Sequence, residues 1–396
     1  MATLVRAVTR AKGEAATDEL VSGLEQALGG RSPALLVCLA SMQQPLETTL
    51  RALRRAFPGA AIIGSSTAGE FTEEGEHELA TIVAGVVGDL VVHTSMAEGI
   101  KGDPEGAATR AVAALPPRST SHPHRTALLF FDGLVGVGEE ITLSCAIALG
   151  ADVRIVGAAA GDDWQIQGTI VGAGERAALD SLAIAVLDSK RPLGIGVAHG
   201  HKPIGAPRLK VTRSEGSVVH ELDGKPAWSR YVEVTREHAS SNWNTDPDTI
   251  TDAGKRLQYF AWYQTGIEVE GGIKNRTPLS KLDDGSLAYA CGIPEGTVLE
   301  VLASDLDQQL ESACEAGRLA LADLGAAPSS GLVFECGCRK VYLGDRFSEA
   351  PRRVSAVLGG IPLVGLEAYG EVALNVGDFS GFHNATTVVL LFPEED

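Results

Sequence analysis

The sequence predicts an α/β protein: two modules of mixed sheets, built from repeated β-α-β units that end in glycine loops. Two observations carry that expectation. One frame occurs three times, as Ile62-Ile63-Gly64-Ser65-Ser66-Thr67-Ala68-Gly69-Glu70, Ile155-Val156-Gly157-Ala158-Ala159-Ala160-Gly161-Asp162 and Leu363-Val364-Gly365-Leu366-Glu367-Ala368-Tyr369-Gly370-Glu371. Two apolar residues, a Gly, a short spacer, a second Gly and an acid recur, and such recurrence marks repeated structural units. The second observation is what precedes each frame. An apolar run is followed by a segment of helical periodicity, which gives strand, helix, strand.

The elements follow in order. Leu20, Leu24 and Leu28 fall on one helical face within 15–28. Residues 34–39 are wholly apolar and read as a buried strand. Leu46, Leu50, Leu53 and Phe57 give a helix that Pro45 starts and Pro58-Gly59 stops. Residues 60–63 then lead into the first glycine frame. Runs at 79–86 and 90–94, with Gly88-Asp89 between them, predict a β-hairpin. After a helix at 104–115, the unit recurs as strand 127–131, helix 139–149 and strand 154–156. Short β-branched runs near 168–171, 181–187, 194–199 and 209–212 predict an antiparallel meander.

Glu221-Leu222-Asp223-Gly224-Lys225-Pro226-Ala227 marks a module boundary. Beyond it come helices at 228–234 and 255–263, a weakly patterned stretch at 266–282, and a strand at 297–302. A long amphipathic helix spans 306–324, with Ser304 as its cap and Gly325 at its end. The third unit follows as strand 332–336, a helix from Pro351 and strand 361–364; a final strand occupies 385–392. The expected organisation is a helical extension at 1–32, a first module at 33–224 and a second at 225–396.

Composition excludes several function classes. The formal charge of −18 argues against nucleic acid and anionic membrane as main partners. No apolar run approaches the roughly 20 residues needed to span a bilayer, and the first residues lack the apolar block of a signal peptide. Six cysteines, at 38, 145, 291, 314, 336 and 338, are scattered through predicted elements rather than spaced as a disulfide framework. The expectation is a soluble cytoplasmic protein with reduced thiols.

A Gly-rich turn between strand and helix can cradle a phosphate. The frames carry no lysine for that task, and their terminal acids would repel a phosphate. Acid, hydroxyls and backbone N–H groups suit an amine-bearing, zwitterionic or hydroxylated ligand. The same glycines equally serve sharp turns between packed strands. The candidate ligand residues are Ser65, Ser66, Thr67, Glu70, Asp162, Tyr369 and Glu371. Arg339 joins them as an anchor for a carboxylate, or it forms an internal ion pair.

Cys336-Gly337-Cys338 places two thiols on one strand face, either as packed cysteines or as a nucleophile with His383 or an acid as base. His199-Gly200-His201 has metal-ligand spacing but no further ligands beside it, so no metal or cofactor is expected. Asp162-Asp163-Trp164 could grip a cationic head group or form a turn under a packed indole. No catalytic triad, nucleophile elbow, kinase set, dinucleotide fingerprint or zinc signature is present in the sequence.

These motifs, in this order, resemble the FIST-domain family of intracellular sensory domains. The first half resembles its N-terminal module through the frames at 62–70 and 155–162 and the junction from Val211-Thr212-Arg213 to Lys225-Pro226-Ala227. The second half resembles its C-terminal module through Phe334-Glu335-Cys336-Gly337-Cys338-Arg339 and the frame at 362–371. Cys338, and Phe71 after Glu70, depart from the family pattern. The resemblance implies a non-enzymatic protein that binds a small molecule, with amino acids the proposed class, and reports to a separate signalling partner. A cysteine-dependent enzyme and a ligand-free interaction protein are the alternatives.

Overall fold

Each of the three frames closes a parallel strand pair. The computed structural model describes residues 3–269, 272–376, 378 and 380–394. The chain runs through three copies of one arrangement. The first is β1 (Thr3–Thr9), α1 (Glu14–Leu28), β2 (Leu35–Ala40), α2 (Leu46–Ala56), β3 (Ala61–Ser66), β4 (Gly69–Thr72), β5 (Gly75–His77) and β6 (Thr81–Val87). The second is β7 (Leu90–Glu98), α3 (Pro104–Ala113), β8 (His124–Phe131), α4 (Gly138–Leu149), β9 (Arg154–Ala159), β10 (Val171–Ala173), β11 (Arg176–Ala178) and β12 (Ser181–Ser189).

The third opens with β13 (Gly194–Ala198). An insertion then carries strands β14 to β22, within residues 202–303, and helices α5 (Ala227–Trp243) and α6 (Ala253–Trp262). The third copy resumes with α7 (Leu306–Leu324), β23 (Pro328–Cys336), α8 (Gly337–Leu343), α9 (Glu349–Val357), β24 (Leu363–Ala368), β25 (Gly370–Leu374), β26 (Phe382–His383) and β27 (Thr387–Pro393).

The three sheets have corresponding strand orders: β1-β6-β2-β3-β10-β11, β7-β12-β8-β9-β25-β26 and β13-β27-β23-β24-β4-β5. The pairs β2/β3, β8/β9 and β23/β24 are parallel. The hairpin that follows each pair leaves its own sheet. β4-β5 adds to the third sheet beside β24, β10-β11 to the first beside β3, and β25-β26 to the second beside β9. Each repeat therefore donates a hairpin to another in a closed cycle. The insertion forms a fourth, nine-stranded sheet.

Packing follows from two-sided burial, which demands near-continuous apolar strands. β2 is buried along its whole length. One face of each of the three sheets meets in a shared core, with Val37 and Ile63, Leu128 and Phe130, and Phe334 and Leu366 among its members. The outer faces are covered by α1 and α2, by α3, α4 and the insertion, and by α7 to α9.

The first Gly of each frame lies within a strand rather than at a turn. A Cβ on Gly64 would meet Leu46 at 2.9 Å, one on Gly157 would overlap the Leu129 carbonyl, and one on Gly365 would overlap the Phe71 ring. Close packing between layers fixes these positions.

Several expectations are corrected. β6 and β7 form no hairpin with each other: they belong to different sheets, β7 pairing with β12. The expected meander is distributed over four sheets for the same reason, since local turn chemistry does not reveal that the chain is changing repeats. Ser65 and Ser66 extend strand β3, held there by β2 and, at Ser65, by β10. The cap of α7 is Asp305, whose carboxylate accepts the Gln308 N–H at 2.7 Å. The segment expected as a helical extension contains β1 and α1, and β1 is an edge strand of the first sheet. Sheet hydrogen bonds cross the 224/225 boundary at β4/β24, β9/β25 and β13/β27.

Candidate functional site: a loop hub and a charged seam

The three frames converge because each leads into an exchanged hairpin, directly at β4 and β25 and through residues 163–170 at β10. Ala68 N–H donates to Glu367 O at 2.9 Å, Gly161 N–H to Ser66 O at 3.2 Å, and Tyr369 N–H to Ala159 O at 3.1 Å. The loops thus form one hub. Its side chains are largely occupied within it. Ser65 donates to Ser66 O, and Ser66 donates to Gly161 O at 2.6 Å while accepting Ile170 N–H. Thr67 donates to Glu70, whose other oxygen accepts Ala80 N–H at 3.2 Å.

Burial raises the Glu70 carboxyl to about 8 against those hydrogen bonds, and the Asp163 charge adds to the rise. Glu371 is fully buried. One of its oxygens takes both the N–H and the hydroxyl of Thr386, and burial pushes its carboxyl well up.

Asp162 behaves oppositely. Burial would raise it, but the Tyr369 hydroxyl at 2.6 Å and the N–H groups of Gln167, Gly168 and Ile166 hold it below the usual carboxylate range. These bonds wrap a loop in which Asp163, Trp164 and Ile166 all have positive φ. That conformation costs a non-Gly residue of order 1 kcal/mol or more, so the Asp162 knot offsets stored strain. Trp164 stacks edge-on against Tyr369 at 5.8 Å.

Arg339 lies apart from the hub frames. It is 1% exposed and donates to Glu335, to the side chain and carbonyl of Gln309, and to Ser312. The Gln309 amide contacts His201 Nδ1 at 3.2 Å, and Asn275 reaches the same nitrogen at 3.3 Å. Burial pushes His201 down to about 3, so it is neutral, with Nε2–H given to Ala261 O.

This network leads to residues that pattern analysis did not single out. In the insertion, β19 (Gly272–Arg276) carries Lys274, Asn275 and Arg276, all buried. Alternation sends Asn275 to the Arg339 side and Lys274 with Arg276 to the other face. There Lys274 and Glu139 both bond Ser380, and Arg276 pairs with Glu139 at 3.0 Å.

Glu139 sits in the first turn of α4, where a carboxylate is favoured. It is 29% exposed, so the seam is reached from solvent at that end. Burial, reinforced by Arg276, lowers the Lys274 amine to about 8 against the pull of Glu139. Arg276 Nε is buried with no partner among the described residues. Three consecutive polar residues within a strand were the available signal, but the weak periodicity of 266–282 obscured it.

The FIST N domain model matches residues 34–225 and the FIST C domain model residues 238–374. The chain belongs to the FIST family. FIST domains are associated with sensory roles in signal transduction. An uncharacterised protein of Methanocaldococcus jannaschii is 26% identical over 274 residues, covering 65% of this chain and 51% of its own. An uncharacterised Mycobacterium tuberculosis protein is 26% identical over 202 residues, half of each chain. This FIST chain therefore spans about half the length of the curated relatives it matches. A cyanuric acid hydrolase from A. caulinodans aligns over 100% of this chain and 99% of its own, at 11% identity and a TM-score of 0.37. Neither its reaction nor its site transfers at that distance. Among the described residues no helix is long and apolar enough to cross a membrane.

Proposed function

We propose that this FIST protein is a cytoplasmic small-molecule sensor. Its ligand is an amino acid or a related zwitterion held in the seam between the insertion and the three-repeat body. The carrying observation is the face of β19, where two buried cations meet one partly exposed carboxylate and Arg276 Nε has no partner among the described residues. A buried donor without a partner costs about 1–3 kcal/mol, which a ligand oxygen would relieve.

The ligand carboxylate would lie between Lys274 and Arg276, and its ammonium would face Glu139 and Ser380. Asp378 adds a weaker negative field at Lys274. Arg339 would act through the Gln309–His201–Asn275 relay on the opposite face of the same strand. Ser65, Ser66, Thr67, Glu70, Asp162, Tyr369 and Glu371 would join the repeats and carry a change in the seam to them. A separate partner would supply the output.

The test is a thermal-shift screen against the amino acids and their metabolites. A ligand at 100 times its Kd adds about 2.7 kcal/mol to the folded state. The shift should persist in Glu70→Gln and vanish in Lys274→Met and Arg276→Met. A shift retained in both seam variants would remove the ligand from this site.

A further inference from the structure

We propose that Cys336 and Cys338 form an oxidisable dithiol, in which Cys338 is the peroxide-reactive thiol and Cys336 the resolving thiol. The inference is independent of the seam ligand. Of the six cysteines, Cys38, Cys145, Cys291, Cys314 and Cys336 are buried, and Cys338 alone is partly exposed. β23 ends at Cys336 and α8 begins at Gly337, so the two sulfurs lie across one strand-to-helix junction. Only Gly337 separates the two residues, and Cys338, together with burial, pushes the Cys336 thiol well up.

A second, separate observation singles out the same pair. Among the described residues, Glu371 Oε1 is buried and takes no N–H or O–H donor, while Oε2 holds Thr386. Cys336 is among the groups that raise the Glu371 carboxyl, after burial.

The junction is also spatially prepared. Gly337 allows Trp164 to close over it: a Cβ there would stand 2.9 Å from the indole ring. Trp164 is itself 37% exposed and belongs to the strained loop of the hub. The dithiol therefore sits where solvent, the hub and the third repeat meet.

The chemistry balances with a hydroperoxide as oxidant. The Cys338 sulfur, as thiolate, attacks the terminal peroxide oxygen, and the O–O bond breaks. The alkoxide or hydroxide leaves and takes up the proton the thiol released, giving Cys338–SOH. The Cys336 sulfur then attacks Cys338 sulfur, and the S–O bond breaks. Hydroxide leaves with the Cys336 proton as water, so one peroxide is reduced and one disulfide forms. A thiol reductant reverses the step.

The experiment treats the full chain with hydrogen peroxide, unfolds it in alkylating agent and maps each cysteine by mass spectrometry. The expected result is loss of two alkylatable thiols, both in the 336–338 peptide, which becomes two hydrogens lighter and is restored by reductant. Cys336→Ser should stop at a Cys338 sulfenic acid that dimedone captures. Cys338→Ser should leave Cys336 unoxidised. Cys336→Ala and Cys338→Ala, checked for a native melting transition, repeat the reading without the serine hydroxyl. If Cys336 and Cys338 stay fully alkylatable in the wild type, or if Cys338→Ser loses Cys336 at the wild-type rate, the proposal is overturned.

Discussion

Replacing Glu70 by Gln should remove a defined part of the protein's pH dependence. The folded carboxyl titrates at about 8, against 4.5 for an unperturbed glutamate. Between these values the folded chain binds a proton that the unfolded chain has released, so stability falls as pH rises through this window and levels off above about 8. From 4.5 to 7 the loss is about 3 kcal/mol, at roughly 1.4 kcal/mol per unit. A Gln side chain has the shape of the protonated acid. Its carbonyl can accept Ala80 N–H and its amide can donate to the Thr67 hydroxyl.

Glu70→Gln should therefore match the wild type near pH 4.5 and exceed it by about 3 kcal/mol at pH 7. Urea unfolding of both proteins at pH 5, 6, 7 and 8 measures this. Glu335, Glu367 and Glu371 also have raised carboxyls, but they are present in both chains and largely cancel in the difference. Parallel pH profiles for the two proteins would refute the assignment of a protonated Glu70.

Other substitutions test the packing and the charge networks. Gly157→Ala drives a methyl into the Leu129 carbonyl at φ +152 and should cost about 3 kcal/mol or more, read as a lower urea midpoint. Arg339→Met strands the fully buried Glu335 and should cost about 3–5 kcal/mol. Adding Glu335→Gln should recover much of that loss in the same denaturation assay. Asp162→Asn removes the acceptor charge for three N–H groups and Tyr369. It should speed proteolysis at 163–167, detected by limited digestion. Lys274, at about 8, should be acetylated by an acyl donor between pH 7 and 9 faster in Glu139→Gln than in wild type, because the variant loses the carboxylate that holds its proton.

Much of the body was legible in the sequence because its strands are apolar throughout and its helices carry one apolar stripe. The frames at 62–70, 155–162 and 363–371 marked the parallel pairs directly. The hairpin exchange was not legible. Gly88-Asp89 looks like any tight turn whether the next strand folds back or enters another sheet, and pairing partners such as β4 and β24 lie far apart in the chain. The acids and hydroxyls of the frames indicated a polar meeting point. Their internal bonding depends on neighbours such as Ala80, Ile170 and Thr386 that no local pattern names. The seam was hidden for a related reason. Glu139, Lys274 and Ser380 come from three distant segments, and each alone reads as a surface residue.

The cyclic exchange of hairpins has a consequence for ancestry. A lone repeat would carry one hairpin that its own sheet cannot use and one vacant sheet edge that the hairpin fits. Three identical copies would satisfy all three edges by swapping arms around a ring, forming a closed homotrimer. Fusing those copies end to end would keep every pairing and free the repeats to diverge. One seam could then gain charges, one junction a pair of thiols and one repeat an insertion of about a hundred residues at 202–303 without vacating any of the three hairpin sites.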